Sequence, residues 1–313
     1  MLPAEDFLLH LYCLVDDFCR SRPELVRRYT GRRGRKTKLS AAEIVTLSIF
    51  SQWNRFDGER CFWRFAQFRL CGLFPNLCHR SQFNRASRKM NPVTAAFFQH
   101  LADVLGSREC LYEIIDRFGV VTRRSGRRGI GWLPDYTDKG LCSRIGFFHG
   151  VQVLSAVTPA GVITGFGIAA GSTKDQPMAG EFFRLRMRPS LSMPWIGRPA
   201  ASQIYIADKG FSGPSRHKEW FLETGAVLTC APQKGHAVPW PPLWLRAIAT
   251  MRQMVETVHD KLLHRFRLQD ERPHDITGLF TRLCAKSALH NACIWINRKL
   301  GRADLEFATL LGW

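Results

Sequence analysis

The chain has 313 residues, 45% of them hydrophobic, and carries 45 Lys and Arg against 26 Asp and Glu, a formal charge of +19. That length buries a substantial core and, at roughly 150 residues per domain, argues for two folded domains. The basic excess points to a nucleic-acid partner, because neutralising phosphates releases condensed counterions. No apolar run is long enough to span a bilayer, no lipidation motif is present, and the acidic start Met1-Leu-Pro-Ala-Glu-Asp6 is unlike a signal peptide. We therefore expect a soluble, intracellular protein.

Residues 1–108 read as helical. Phe7, Leu8, Leu11, Leu14, Val15 and Phe18 form a stripe at helical spacing that ends near Arg22-Pro23. Between Arg27 and Lys38 stand Arg27, Arg28, Arg32, Arg33, Arg35, Lys36 and Lys38, broken by Gly31 and Gly34. Such a run is too charged to pack and reads as an arm against DNA phosphates, a solvated linker being the alternative. Ser40 and Glu43 make a capping-box pattern that starts a helix through Ile44, Leu47 and Phe50. Further helices are predicted over 60–69, 80–90 and 94–105. The ten cysteines include no Cys-x-x-Cys pair. Cys78-His79 near Cys71 is the nearest approach to a ligand cluster, and reduced core cysteines explain it better than zinc.

The stretch 111–121 reads as a buried strand. Tyr112, Ile114, Asp116, Phe118 and Val120 alternate onto one face, which is apolar except for Asp116. A buried carboxylate needs a cation or a metal ion, so either a salt bridge with a neighbour such as Arg117 or a functional site is expected. Arg123, Arg124, Arg127 and Arg128 follow closely and place four cations where a phosphate backbone would be held. Apolar runs over 149–157 and 162–169, joined by Thr158-Pro-Ala-Gly161, predict a hairpin. A helix is predicted from Lys174-Asp175-Gln176-Pro177 onward.

Residues 203–207 form a further strand, and Asp208 stands at its carboxyl end, where open α/β sheets gather functional groups; capping of the next turn is the alternative. A short strand over 226–230 and a Pro- and Trp-rich loop over 232–244 precede a helix predicted over 245–266. On that helix Glu256 shares a side with Arg252 and His259. An ordinary Arg252–Glu256 surface pair is the alternative. A last helix is predicted over 275–299. Jointly, Asp116 in mid-strand, Asp208 at a strand end and Glu256 on a following helix suit a two-metal site, in which carboxylates act as ligands for Mg²⁺.

The chain here resembles the DDE transposases of bacterial insertion sequences, with their ribonuclease H-like catalytic domain. The matching residues are Ile114-Ile-Asp116, the segment 149–175, Tyr205-Ile-Ala-Asp-Lys-Gly-Phe211 and Arg252-Gln-Met-Val-Glu-Thr-Val258, with 39–47 and 74–85 in the helical region. The resemblance implies an α/β fold, a ribonuclease H-like mixed sheet flanked by helices, preceded by an all-helical N-terminal domain. Residues 1–108 would bind DNA, with the arm at 27–38, and 109–313 would be catalytic, ending in a C-terminal helix. It further implies Asp116, Asp208 and Glu256 as metal ligands, for Mg²⁺ with Mn²⁺ able to substitute, and Arg252 and Lys209 as contacts to DNA phosphate.

The implied activity is binding of terminal inverted repeats, cleavage at the element's ends and transfer of the 3′-hydroxyl strand to target DNA. The implied assembly is a homodimer in the synaptic complex, in a bacterial cytoplasm and without a membrane partner. The chain departs from the family pattern at Ala249, where a tyrosine is common, at Leu263, where a basic residue is common, and at Gln152, where a lysine would align. Two other classes remain: a catalytically silent DNA-binding regulator, and a metal-dependent ribonuclease H-like nuclease that cuts without joining.

Overall fold

The computed structural model describes residues 1–30, 37–123, 131–142, 144–187, 195–197, 202–232 and 240–312. Among these are ten α-helices: α1 (Ala4–Ser21), α2 (Pro23–Tyr29), α3 (Ala41–Phe50), α4 (Glu59–Arg69), α5 (Arg80–Lys89), α6 (Asn91–Val104), α7 (Asp175–Met187), α8 (Pro214–Thr224), α9 (Pro242–Asp260) and α10 (Ile276–Lys299). Seven strands form one mixed sheet: β1 (Glu113–Arg123), β2 (Asp138–Cys142), β3 (Gly146–Val157), β4 (Ile163–Ala170), β5 (Trp195–Ile196), β6 (Ile204–Ala207) and β7 (Val227–Cys230). The protein is thus α/β, its mixed sheet flanked by helices. The chain divides into two compact units, one of Met1–Leu101, His264–Arg267 and Thr281–Trp313, the other of Ala102–Leu263 and Leu268–Phe280.

The first unit is built on aromatic packing. Of the predicted α1 stripe, Phe7, Leu8, Leu11, Val15 and Phe18 are buried and Leu14 is half-buried. Phe7 meets Trp53 edge-on at 5.6 Å, Trp53 meets Phe266 at 5.5 Å, and Phe266 lies 6.1 Å from Phe307. Each such ring removes enough apolar surface from water to contribute about 2 kcal/mol. α1 gives way to α2 at Arg22, since Pro23 has no N–H to continue the helix and suits the first position of the next. The Ser40–Glu43 capping box forms as predicted, Ser40 N–H donating to Glu43 Oε2 at 2.6 Å and Glu43 N–H to Ser40 Oγ at 3.2 Å. α5 is capped the same way with an imidazole, His79 Nδ1 accepting from Ser81 N–H at 3.3 Å while Gln82 Oε1 accepts from His79 N–H at 3.1 Å. Leu2–Pro3 pairs in parallel with Leu311–Gly312.

In the second unit the strands lie in the order β5-β4-β3-β1-β6-β7, with β2 paired to the start of β3. β1 runs parallel to β6 and antiparallel to β3; β3 is also antiparallel to β4, and β6 is parallel to β7. The predicted hairpin joins β3 to β4. Its turn is closed by Thr158, whose N–H donates to Val162 O at 2.9 Å and whose Oγ1 accepts from Val162 N–H at 3.2 Å, and Gly161 adopts φ +80°. One sheet face buries Ile115, Leu154, Ala156 and Tyr205 under Met178, Phe182 and Phe183 of α7 and Trp220 of α8.

The strand predicted over 111–121 begins at Glu113, so Tyr112 precedes it, and both of its faces are covered. Asp116 is therefore not its only enclosed charge. Glu113, 1% exposed, forms an ion pair with Arg186 of α7, itself 2% exposed. Arg186 also donates to Thr164 Oγ1 at 2.8 Å and stacks 4.5 Å above the Phe182 ring. A pair this enclosed holds only because hydrogen bonds satisfy the guanidinium on several sides.

The helix predicted over 245–266 starts earlier, at Pro242, and its α geometry ends at Asp260. A π-helical turn, Lys261–Arg265, follows. The cysteines are free, but only Cys19, Cys230, Cys284 and Cys293 are buried, whereas Cys71 is exposed and Cys78 half-buried. The expectation that core burial explains Cys71 and Cys78 is therefore corrected. From Thr281 onward the last helix belongs to the first unit, although a single stretch 109–313 was expected; its opening turn stays with the second unit, where Phe280 meets Phe166 at 5.6 Å. No helix among the described residues is long and apolar enough to cross a membrane.

Candidate active site

Strand alternation decides which side chains of β1 share a face. Asp116, Phe118 and Ser155, the partner of Asp116 on β3, lie on the face that α9 covers. α9 is fixed there by His259, whose Nε2 lies 2.8 Å from Ser155 Oγ and whose ring lies 4.3 Å from that of Phe118. Ser155 is the residue directly opposite Asp116 in the ladder, so this contact sets the height of the helix against the carboxylate. Burial, with a smaller contribution from Arg144, drives the His259 imidazole down to about 3, which keeps it neutral. His259 thus anchors the helix, and Arg252 and Glu256 stand at the open edge.

There the three predicted carboxylates meet one cation. Asp116 Oδ2 lies 3.8 Å from Arg252 Nη2, Asp208 Oδ1 lies 3.2 Å from Nη1, and Glu256 Oε1 lies 3.7 Å from Nη2. The side chain of Asp116 is 17% exposed, that of Asp208 40% and that of Glu256 59%. Burial pushes the Asp116 carboxyl up to about 6, against the pull of Arg252 and of the Arg117 N–H that donates to its Oδ1 at 2.8 Å; the charges of Asp208 and Glu256 add to the rise. Such a site attracts positive charge, and Arg252 supplies it. The three carboxylates line an open cleft of about 1090 Å³, together with Arg117, Asp175 and Arg252.

The alternatives left open by sequence resolve residue by residue. Asp116 pairs with Arg252, and the guanidinium of Arg117, which lines the same cleft, pairs with Asp175. Asp208 does not cap the following turn with its side chain. Arg252 and Glu256 are a helix pair, yet one that includes two further carboxylates. Lys209 lies exposed at the start of the 3₁₀ turn Lys209–Phe211. Arg123 ends β1, while Arg124, Arg127 and Arg128 lie outside the described residues, as do Arg32, Arg33, Arg35 and Lys36 of the arm. Asp175 and Asp260 are two further carboxylates lining the cleft, and in the sequence Asp175 reads only as a helix start.

Hard oxygen donors of this kind suit Mg²⁺ or Mn²⁺. Among the described residues no three His, Cys, Asp or Glu side chains are gathered closely enough to hold one metal ion as they stand. The guanidinium of Arg252 occupies the space between them. The side chains of Glu256 and Asp208 are 59% and 40% exposed, so burial does not lock either; the donor chemistry is that of a divalent-cation site, while the three carboxylates as they stand hold Arg252. No protein-family model, curated protein or solved structure matches the chain.

Proposed function

We propose that this chain is a DDE-type DNA transposase with a ribonuclease H-like catalytic unit, which binds terminal inverted repeats, cleaves at the element's ends and transfers the 3′-hydroxyl strand to target DNA. The observation that carries this reading is the convergence of Asp116, Asp208 and Glu256, from a mid-strand, a strand end and a helix, on a single cationic group. The strand order β4-β3-β1-β6-β7, in which β3 alone runs against the other four, supports the ribonuclease H-like assignment. A charge of +19 supports a double-stranded DNA partner. The homodimer of the synaptic complex rests on the family resemblance.

Asp116, Asp208 and Glu256 would hold Mg²⁺ or Mn²⁺. When bound, such ions stabilise both the attacking and the leaving oxygen of an in-line phosphoryl displacement. The chain itself supplies positioning. Asp116 is set by the sheet, Glu256 by the His259 anchor, and Asp208 by the turn after β6. Arg252, once released from the carboxylates, would meet a phosphate oxygen, and exposed Lys209, one residue from Asp208, would meet the same backbone.

The test is incubation of purified protein with labelled DNA carrying the sequences that flank the gene, in Mg²⁺ or EDTA, comparing wild type with Asp208→Asn. Metal-dependent nicking and joined products are expected from wild type. The variant should lose at least about a hundredfold in rate, the scale reached when an outer-shell partner alone is removed. Binding without cleavage in any divalent metal would refute the reading in favour of a silent regulator. Cleavage of arbitrary DNA without joining would do so in favour of a nuclease.

A further inference from the structure

We infer that Asp175 is a positioning residue of this site: paired with Arg117, it seats the turn after β6 and so fixes the carboxylate of Asp208 relative to that of Asp116. The inference rests on reading Asp116, Asp208 and Glu256 as the metal-holding set. It begins with the alternation of β1. Asp116 faces α9, and Arg117, one residue on, faces the side where α7 begins. Arg117 touches both sides of this arrangement. Its backbone N–H donates to Asp116 Oδ1 at 2.8 Å, while its guanidinium pairs with Asp175 and donates to Thr173 O at 3.0 Å.

Asp175 passes that constraint on by packing. A Cβ added at Gly210 would lie 2.1 Å from Asp175 Oδ2, so the carboxylate occupies the space that any side chain at 210 would need. The next residue of α7 grips the same turn, Gln176 Nε2 donating to Ser212 O at 2.5 Å. The first two residues of α7 therefore hold the backbone of Gly210 and Ser212. Asp208 lies two residues upstream; its side chain makes no capping hydrogen bond and reaches Arg252 Nη1 at 3.2 Å, so the turn's backbone sets the position from which its carboxylate enters the cleft. A continuous line of contact runs from Asp116 through Arg117 and Asp175 to the Asp208 turn.

Two experiments on the full-length protein decide the matter without reference to DNA cleavage. The first is Mn²⁺ binding followed by the electron paramagnetic resonance signal of the free ion, for wild type, Asp175→Asn and Asp208→Ala. Asp175→Asn keeps the shape and removes the charge pair, and should weaken Mn²⁺ binding about tenfold with an unchanged circular dichroism spectrum. Unchanged binding in Asp175→Asn, with binding lost in Asp208→Ala, would overturn the positioning role and leave the metal reading intact. Unchanged binding in Asp208→Ala would overturn both.

The second experiment is thermal unfolding of Gly210→Ala, Asp175→Ala and the double variant. The added methyl should lower Tm by about 4 °C or more when Asp175 is present, and have no effect once its side chain is gone. Should Gly210→Ala not fold, recovery of a folded protein in the double variant is the expected result. Equal harm from the methyl in both backgrounds would overturn the inference.

Discussion

Replacing His259 by glutamine isolates the contribution of one imidazole to the stability of the metal-free protein. The amide of glutamine can keep a hydrogen bond to Ser155, so the principal loss is the titratable group. In the folded chain His259 is held down to about 3, against roughly 6.5 in an unfolded one. Between those values the unfolded chain binds a proton that the folded chain refuses. The stability associated with neutral His259 is thus fully present above pH 6.5 and falls as the pH drops toward 3. From pH 7 to pH 5 the loss attributable to this group is about 2 kcal/mol, at 1.36 kcal/mol per pH unit below the unfolded value. Asp116, pushed up to about 6, works in the opposite direction over part of the same range, gaining stability as the pH falls. Total stability is therefore a poor readout, and the difference between wild type and His259→Gln is the informative one. Urea unfolding of both proteins in EDTA at pH 7 and pH 5 supplies it. Wild type should lose about 2 kcal/mol more than the variant over that interval. A difference that does not change with pH would mean that His259 takes up a proton in the folded state, and the account of it as a neutral anchor would be wrong.

Arg252→Gln should lower the stability of the metal-free protein by about 1 to 2 kcal/mol, because three carboxylates then share a cleft without their cation. Added Mn²⁺ should raise Tm further in that variant than in wild type, and an equal rise in both would refute competition between guanidinium and metal. Arg186→Met should cost about 3 to 5 kcal/mol in denaturant unfolding by leaving Glu113 enclosed without its partner; a loss below about 1 kcal/mol would refute that role. Ser40→Ala removes the acceptor of Glu43 N–H and should cost about 1 kcal/mol, which a two-state urea titration measures.

What was legible in the sequence was chiefly local. The Ser40–Glu43 box and the Thr158–Gly161 turn carry their geometry within four residues, and both form. Asp116 and Asp208 were legible because β1 alternates and β6 ends at Ala207, one residue before Asp208, two local features that need no knowledge of distant partners. Asp175 was not, since its partners Arg117 and Gly210 lie far away in the chain and an Asp opening a helix already has a sufficient local explanation. Glu113 was missed for the same reason, its cation lying 73 residues on. β2 was overlooked because Asp138-Lys-Gly-Leu-Cys142 holds one strongly apolar position and pairs only with the start of β3. The division of α10 between the two units could not be read from its pattern. A helix that buries Leu279, Cys284, Leu289, Asn291 and Asn297 is enclosed around its circumference and offers no stripe to mark which core it serves.

The discontinuity of the first unit has a consequence for how the protein is made. Its opening helices leave the ribosome well before the segment from Thr281 that completes their unit, with roughly 180 residues between Leu101 and Thr281. At about 5 to 20 residues per second, that delay lasts on the order of ten to forty seconds. For most of it Trp53 lacks Phe266, and throughout it the apolar stripe of α1 belongs to an unfinished core. The second unit, apart from its last 13 residues, is contiguous from Ala102 to Leu263, so the usual order of folding during synthesis is reversed: the middle of the chain can mature while its beginning waits. Slowed translation within the middle segment would lengthen that exposure and lower the yield of soluble protein without altering a single native contact.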